Sequence, residues 1–122
     1  MIRGIGTDIV ETDRISRAIK KDYFLKRAFS DSEIAMAKER NTDIFLAGNF
    51  AVKEAFVKAL GIGFRGIGLK DLEVLRDKYG KPFIRICNPK NIHLMDINEK
   101  NIYVSISNTN SLAVAMVVIE VD

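Results

Sequence analysis

Three groups of residues have the type and spacing to do chemistry. Asp8 sits near the end of an apolar segment, Gly4-Ile-Gly-Thr-Asp8-Ile-Val, beside two glycines. Glycine inside a strand weakens it unless something must approach the backbone closely. A carboxylate at such a place could hold a divalent cation, and a solvent-facing aspartate at a strand end is the plainer alternative. Glu54 and Lys58 are four residues apart in the order that favours a helical ion pair. As an exposed pair they would contribute about 0.3–0.5 kcal/mol. The other reading makes Glu54 a metal ligand and Lys58 the cation that reaches an anion on the same metal, an arrangement suited to phosphoryl chemistry, where catalysis is positioning and charge neutralisation. The third group is the loop Gly61-Ile-Gly-Phe-Arg-Gly-Ile-Gly68. It lacks the Gly-Lys-Ser/Thr ending of a Walker loop. It also follows a helix C-terminus, the wrong end of the dipole for a phosphate. It reads as a flexible turn in which Arg65 could meet an anion.

The elements that must carry these residues are legible in outline. Ile2 to Val10 reads as a strand with Ile5, Ile9 and Val10 as its apolar positions. From Thr12 the period becomes helical, with Ile15, Ala18, Ile19 and Leu25 on one face and Arg14, Arg17 and Lys21 on another. Ser30 and Glu33 have capping-box spacing and start a short helix to about Arg40. Asp43 is the expected cap of a longer helix, Ile44 to Leu60, which Gly61 ends; Phe45, Leu46, Phe56, Val57 and Leu60 supply much of its buried surface. Strands follow at Leu72–Leu75, Phe83–Ile86, Ile102–Ser107 and Leu112–Val121, with turns at Asp77–Gly80 and Asn108–Ser111. Lys90 to Lys100 shows no clear period. Helices come first and strands later, so the class is α+β, a mainly antiparallel sheet packed against one long helix.

Composition narrows the functions. The chain has 122 residues, the length of one domain spanning 1–122, with 48% hydrophobic and 29% charged residues. Cys87 is the only cysteine and His93 the only histidine, which excludes an internal disulfide and a His/Cys zinc cluster. Any metal would need oxygen ligands and would be a hard cation. Cys87 reads as a small buried hydrophobe and His93 as structural or exposed. No apolar run approaches the ~20 residues that cross a bilayer, and the opening MIRGIGTDIV is unlike a signal peptide. The expected location is the cytoplasm. The net charge is +3, and residues 1–65 hold all of it, 12 basic against 9 acidic side chains. Six basic residues fall between Asp13 and Arg27. That segment is too modest, and too poor in interleaved aromatics, to argue for nucleic acid.

The motifs Gly4-Ile-Gly-Thr-Asp8-Ile-Val, Phe50-Ala-Val-Lys-Glu54-Ala-Phe-Val-Lys58-Ala-Leu-Gly61, Asp71-Leu-Glu-Val, Gly80-Lys-Pro82 and Val104-Ser-Ile-Ser107 resemble those of the holo-acyl-carrier-protein synthases, the small bacterial 4′-phosphopantetheinyl transferases. The likeness runs from residue 2 to about 120. It implies transfer of the phosphopantetheine arm of coenzyme A to a serine of an acyl carrier protein, by default that of fatty-acid synthesis, with release of adenosine 3′,5′-bisphosphate. It implies that Asp8 and Glu54 hold Mg²⁺, with Mn²⁺ as the alternative, and that Lys58 neutralises the pyrophosphate, making Asp8, Glu54 and Lys58 the catalytic set. Contacts to coenzyme A would fall to Asn49, Lys58, Gly61, Arg65, Pro82, Ser107, Asn108 and Thr109. Arg14 matches the family's carrier-docking position, and Arg17, Lys20 and Lys21 extend the basic surface toward an acidic carrier. A homotrimer with active sites between subunits is implied as well.

Two positions depart from the family pattern. Asn49 stands where arginine is common, and Asn108 where histidine is common, both associated with the nucleotide phosphates. Asparagine cannot replace a bidentate charged donor, so Arg40, Arg65 and Lys81 are the candidates to compensate. The same two positions motivate an alternative: a degenerate relative that binds coenzyme A or a carrier without efficient turnover.

Overall fold

The computed structural model describes residues 1–122. In chain order the elements are β1 (Ile2–Glu11), α1 (Thr12–Ala18), α2 (Asp22–Ala28), α3 (Asp31–Lys38), α4 (Thr42–Leu60), β2 (Leu72–Arg76), β3 (Pro82–Ile86), β4 (Ile102–Asn108) and β5 (Leu112–Glu120). Single 3-10 turns lie at Leu69–Asp71 and Glu99–Asn101, the latter closing the segment whose period was unreadable.

α4 is the centre of the molecule. Every residue from Phe45 to Lys53 is buried, as expected of a helix apolar on nearly all sides. An antiparallel sheet of order β1-β5-β4 lies against it, and β2 and β3 form a separate hairpin. The contact of β1 with α4 is unusually close, and the sequence allows it. A Cβ on Gly4 would lie 1.9 Å from the Ala59 carbonyl oxygen, and one on Gly6 would lie 1.8 Å from that of Ala55. Two residues of strand advance about 6.6 Å and four residues of helix about 6.0 Å. Alternate residues of β1 therefore keep step with successive turns of α4. The body that comes near the Gly4 and Gly6 backbone is thus the helix, not a ligand, and the next residues on that face are Asp8 and Val10.

The opposite face of β1 carries Ile5 and Ile9. Both are more than half exposed, so these two apolar positions are not core; Val10 is. With Val114 and Met116 of β5 they make an uncovered apolar face on the sheet.

The expected helix from Thr12 is two short helices, broken at Ile19–Lys21. One continuous helix would put Asp22 and Lys26 on the stripe begun by Ile15 and Ile19. The break re-phases the chain so that Phe24, Leu25 and Ala28 pack on the core while Asp22 and Lys26 pair in solvent. Arg14 and Arg17 therefore share α1, and Lys21 lies at the start of α2 rather than on the same face.

The α3 capping box forms as expected: Glu33 N–H donates to Ser30 Oγ, and Ser30 N–H donates to Glu33 Oε1. At α4 the cap is Asn41, whose Oδ1 accepts the Ile44 N–H. Asp43 lies in the first turn instead and accepts Ser16 Oγ–H at 2.6 Å, joining α1 to α4. Gly61 ends α4 in the left-handed conformation (φ 80°). In the β2–β3 turn, Asp77 Oδ1 accepts the N–H groups of Tyr79 and Lys81. Cys87 is exposed beyond the end of β3, not a buried hydrophobe. No helix is long and apolar enough to cross a membrane.

Candidate active site

The β1–α4 contact brings Asp8, Glu54 and Lys58 together. Lys58 Nζ donates to Asp8 Oδ1 at 3.1 Å and to the Thr7 carbonyl at 3.0 Å. Asp8 is largely covered while Lys58 is more than half exposed. Glu54 lies one helical turn before Lys58 on the same side. Burial and then the facing Asp8 push the Glu54 carboxyl above the usual carboxylate range; Arg14 and Lys58 pull it back. Two neighbouring carboxylates with one ammonium alongside form a set of hard oxygen donors.

Glu54 also borders a cavity of about 560 Å³. One wall is Arg27, Phe50 and Glu54; the other is the glycine-rich loop, through Phe64, Ile67, Gly68 and Leu69. Arg14 lies over the Phe50 ring at 5.8 Å, so the basic α1 adjoins the same site. Arg27 was not singled out by sequence reasoning. Its only sequence signal was membership of the basic stretch, because what brings it to the cavity is the turn after α1. Arg65 and Gly61 flank the site, exposed, on the loop and at the end of α4.

Asn49 lies elsewhere. It is fully buried, and its Nδ2 donates to Glu33 Oε2 and to the Val74 carbonyl, both at 2.9 Å. It belongs to an internal polar network and presents no atom to a ligand, which overturns its assignment as a coenzyme A contact. In the same network Lys53 Nζ donates to Glu33 Oε1 at 2.7 Å and to the Ala28 carbonyl at 2.8 Å, with neither side chain exposed. Burial lowers the affinity of Lys53 for its proton and Glu33 opposes that loss. This network joins α2, α3, α4 and β2, and so holds Arg27 and Glu54 on one frame.

Asn108, Ser107 and Thr109 lie at the end of β4, and Pro82 at the start of β3. The order β1-β5-β4 separates the β4 residues from Asp8 by two strand spacings, about 10 Å, and Pro82 belongs to the separate β2–β3 hairpin. Around Asn108 a cleft of about 250 Å³ is lined by Arg40, Phe45, Gly48 and Arg76. Arg40 and Arg76 both lie over the Phe45 ring, at 5.6 and 4.5 Å, and neither is in an ion pair. Burial first, and then the Arg40 charge, lower the Arg76 pKa to about 10. Arg40, proposed above to compensate for Asn49, is thus beside Asn108. Arg76 joins it without having been foreseen, because only the β2–β3 hairpin brings it there. Lys81, in the same hairpin, does not line this cleft. His93 is half-buried against Gly66, in keeping with a structural role.

Comparison with known proteins bears on the family. Residues 4–117 match the model of the 4′-phosphopantetheinyl transferase superfamily. A holo-[acyl-carrier-protein] synthase of Clostridium botulinum (strain Eklund 17B / Type B) is 50% identical over 123 residues, covering 99% of both chains. Among solved structures, the holo-(acyl-carrier-protein) synthase of Bacillus anthracis str. Ames in complex with CoA (3′,5′-ADP) superposes with a TM-score of 0.83 at 35% identity, covering 100% of this chain and 99% of that one. The Helicobacter pylori holo-[acyl-carrier-protein] synthase in complex with coenzyme A does so with 0.82 at 33% identity, covering 95% and 99%. A fold shared over its whole length, and identity of this order with chains of the same size, place this chain in the 4′-phosphopantetheinyl transferase superfamily.

Proposed function

We propose that residues 1–122 act as one domain that transfers the 4′-phosphopantetheine arm of coenzyme A to a serine of an apo acyl carrier protein, that of fatty-acid synthesis by default. The observation that carries this reading is the Asp8–Glu54–Lys58 cluster beside the cavity. In the reaction, the serine oxygen forms a bond to the phosphorus of the phosphopantetheine phosphate. The bond from that phosphorus to the pyrophosphate bridging oxygen breaks, and adenosine 3′,5′-bisphosphate leaves with the electron pair.

The donor set fits Mg²⁺. No group of three or more protein ligands exists here, and Mg²⁺ takes one or two carboxylates together with water and substrate phosphates. Asp8 and Glu54 are two hard oxygen donors whose mutual repulsion a dication would relieve. When bound, Mg²⁺ supplies charge neutralisation for the pyrophosphate. Lys58 uses two of its three N–H donors on Thr7 and Asp8, which leaves one for a phosphate oxygen. Two carboxylates line the cavity. Asp71 already accepts the Gly68 N–H and the amides of Asn88 and Asn91, so of the two it is Glu54, through the oxygen that a bound cation would leave uncoordinated, that can take the serine proton.

The cleft of Arg40, Arg76 and Asn108 suits the phosphates of the nucleotide end, in place of Asn49. It lies at the β4 edge, and the Asp8 cluster at the β1 edge. Together with the uncovered apolar face of Ile5, Ile9, Val114 and Met116, this supports a homotrimer whose sites form between subunits, since monomers seldom leave such a patch open. Arg14, Arg17 and Lys21, exposed on α1 and at the start of α2, form the surface toward the acidic carrier. The test is the mass of the carrier after incubation with coenzyme A and Mg²⁺. A gain of one phosphopantetheine, lost with a chelator and in Glu54→Ala, is expected. Retained coenzyme A binding with no gain on several carriers would instead identify a binding relative without turnover.

A further inference from the structure

The cavity wall opposite Glu54 is the glycine-rich loop, and it is weakly braced. Gly63 and Gly66 have φ of 64° and 83°, conformations from which glycine moves at little cost. Ile67 is buried and anchors the end of the loop. Along residues 62–67 a single hydrogen bond reaches the chain: Asn91 Nδ2 donates to the Gly66 carbonyl at 2.6 Å.

Asn91 is itself aimed. Its Oδ1 accepts the His93 N–H at 2.9 Å, the bond of an Asx turn. That turns the amide nitrogen toward Gly66 and toward Asp71 Oδ2, 3.3 Å away. Asp71 in turn accepts the Gly68 N–H at 2.9 Å and Asn88 Nδ2 at 3.2 Å. The packing is close: a Cβ on Gly66 would lie 2.9 Å from His93 Nε2. A segment remote in sequence thus holds the loop from behind, directly at Gly66 and through Asp71 at Gly68.

We propose that Asn91 is a positioning residue for the transfer reaction: it latches the loop where Phe64 and Ile67 close the cavity beside Glu54, and so sets the affinity for coenzyme A. The proposal rests on the transferase reading. Without the latch, the loop must be ordered at the moment of binding, which weakens binding and leaves the chemical step alone.

Asn91→Asp separates this role from a local structural one. It keeps the acceptor for His93 N–H but turns a carboxylate oxygen toward the Gly66 carbonyl and Asp71. Asn91→Ala removes all three bonds. For both variants the expected result is a KM for coenzyme A raised about three- to tenfold, the range spanned by one hydrogen bond, with kcat within about twofold. Tryptic cleavage after Arg65, exposed in the loop, should accelerate by a similar factor while α4 and β5 keep their protection from hydrogen exchange. A purely structural role in the 88–93 turn would leave Asn91→Asp like the wild type. Wild-type KM and wild-type cleavage in Asn91→Asp would overturn the proposal. If the unmodified chain transfers nothing, the transferase reading fails, and cleavage after Arg65 judges the latch alone: acceleration supports it and no change refutes it.

Discussion

Replacing Lys53 by methionine should destabilise the fold far more than the loss of one side chain would suggest. Lys53 Nζ and Glu33 Oε1 are 2.7 Å apart and neither side chain is exposed. Methionine fills much of the same volume, so packing changes little, but the Glu33 carboxylate keeps its place without a counter-ion. Breaking such a pair from one side costs about 3–5 kcal/mol, because the remaining charge is uncompensated. Unfolding entropy is about 2.1 cal/mol/K per residue, or about 0.26 kcal/mol/K for 122 residues, so the midpoint should fall by about 12–20 °C. The assay is urea unfolding of the single variant and of the double variant Lys53→Met/Glu33→Gln. The glutamine removes the charge and keeps one acceptor, for the Ser30 N–H or for the Val74 N–H but not for both, so the recovery is net of one lost acceptor. The double variant should therefore recover at least about 1 kcal/mol over the single one, at an unchanged m-value. A double variant no more stable than Lys53→Met would refute the reasoning. It would show that the cost lies in lost hydrogen bonds to Ala28 and Glu33, not in a stranded charge.

Gly6→Ala should prevent stable folding or cost more than about 3 kcal/mol, since its methyl meets the Ala55 carbonyl, which cannot move without moving α4. Gly61→Ala, with open space but a left-handed φ, should cost only about 1–2 kcal/mol, and denaturation of both checks the contrast. Glu54 has a raised pKa in the fold, so its contribution to stability is present at low pH and fades as pH rises from about 4.5 through the folded value. Without metal, Glu54→Gln should then melt above the wild type at pH 7, with the difference shrinking toward pH 4. Mg²⁺ at about ten times its Kd should stabilise the wild type by about 1.4 kcal/mol and leave Glu54→Gln unmoved, as melting with and without chelator would register. Arg76→Met should raise the KM for coenzyme A at least about tenfold with kcat little changed, if the Arg40–Arg76 cleft takes a phosphate; equal KM values would remove the cleft from the site.

Much of this was legible along the chain because it depends on neighbours in sequence. The Ser30–Glu33 capping box, the Gly61 stop and the Asp77–Gly80 turn are short-range geometry, and each formed where its residues placed it, whereas Lys58 pairs with Asp8 rather than with Glu54 four residues before it. The motifs around Asp8 and Glu54 also identified the family. Other features depend on residues far apart in sequence. Ile9 and Val10 look alike in sequence, yet one is exposed on the outer sheet face and the other buried, because strand alternation acquires an inside only when α4 docks. The break after Ala18 follows from the phase of apolar residues against a core that the sequence does not display. Asn49 could be compared with a family pattern, but its burial in the Glu33–Lys53 network depends on α3 and β2 closing over α4. Arg27 and Glu54 on one cavity, Arg76 beside Arg40, and Asn91 on Gly66 bring together residues 25 or more positions apart. The sequence by itself determined the local elements, the chemical types at the site and the family. Tertiary structure decided which face each residue occupies and which distant groups meet, because burial and electrostatic pairing act on separation in space, and only packing sets that separation.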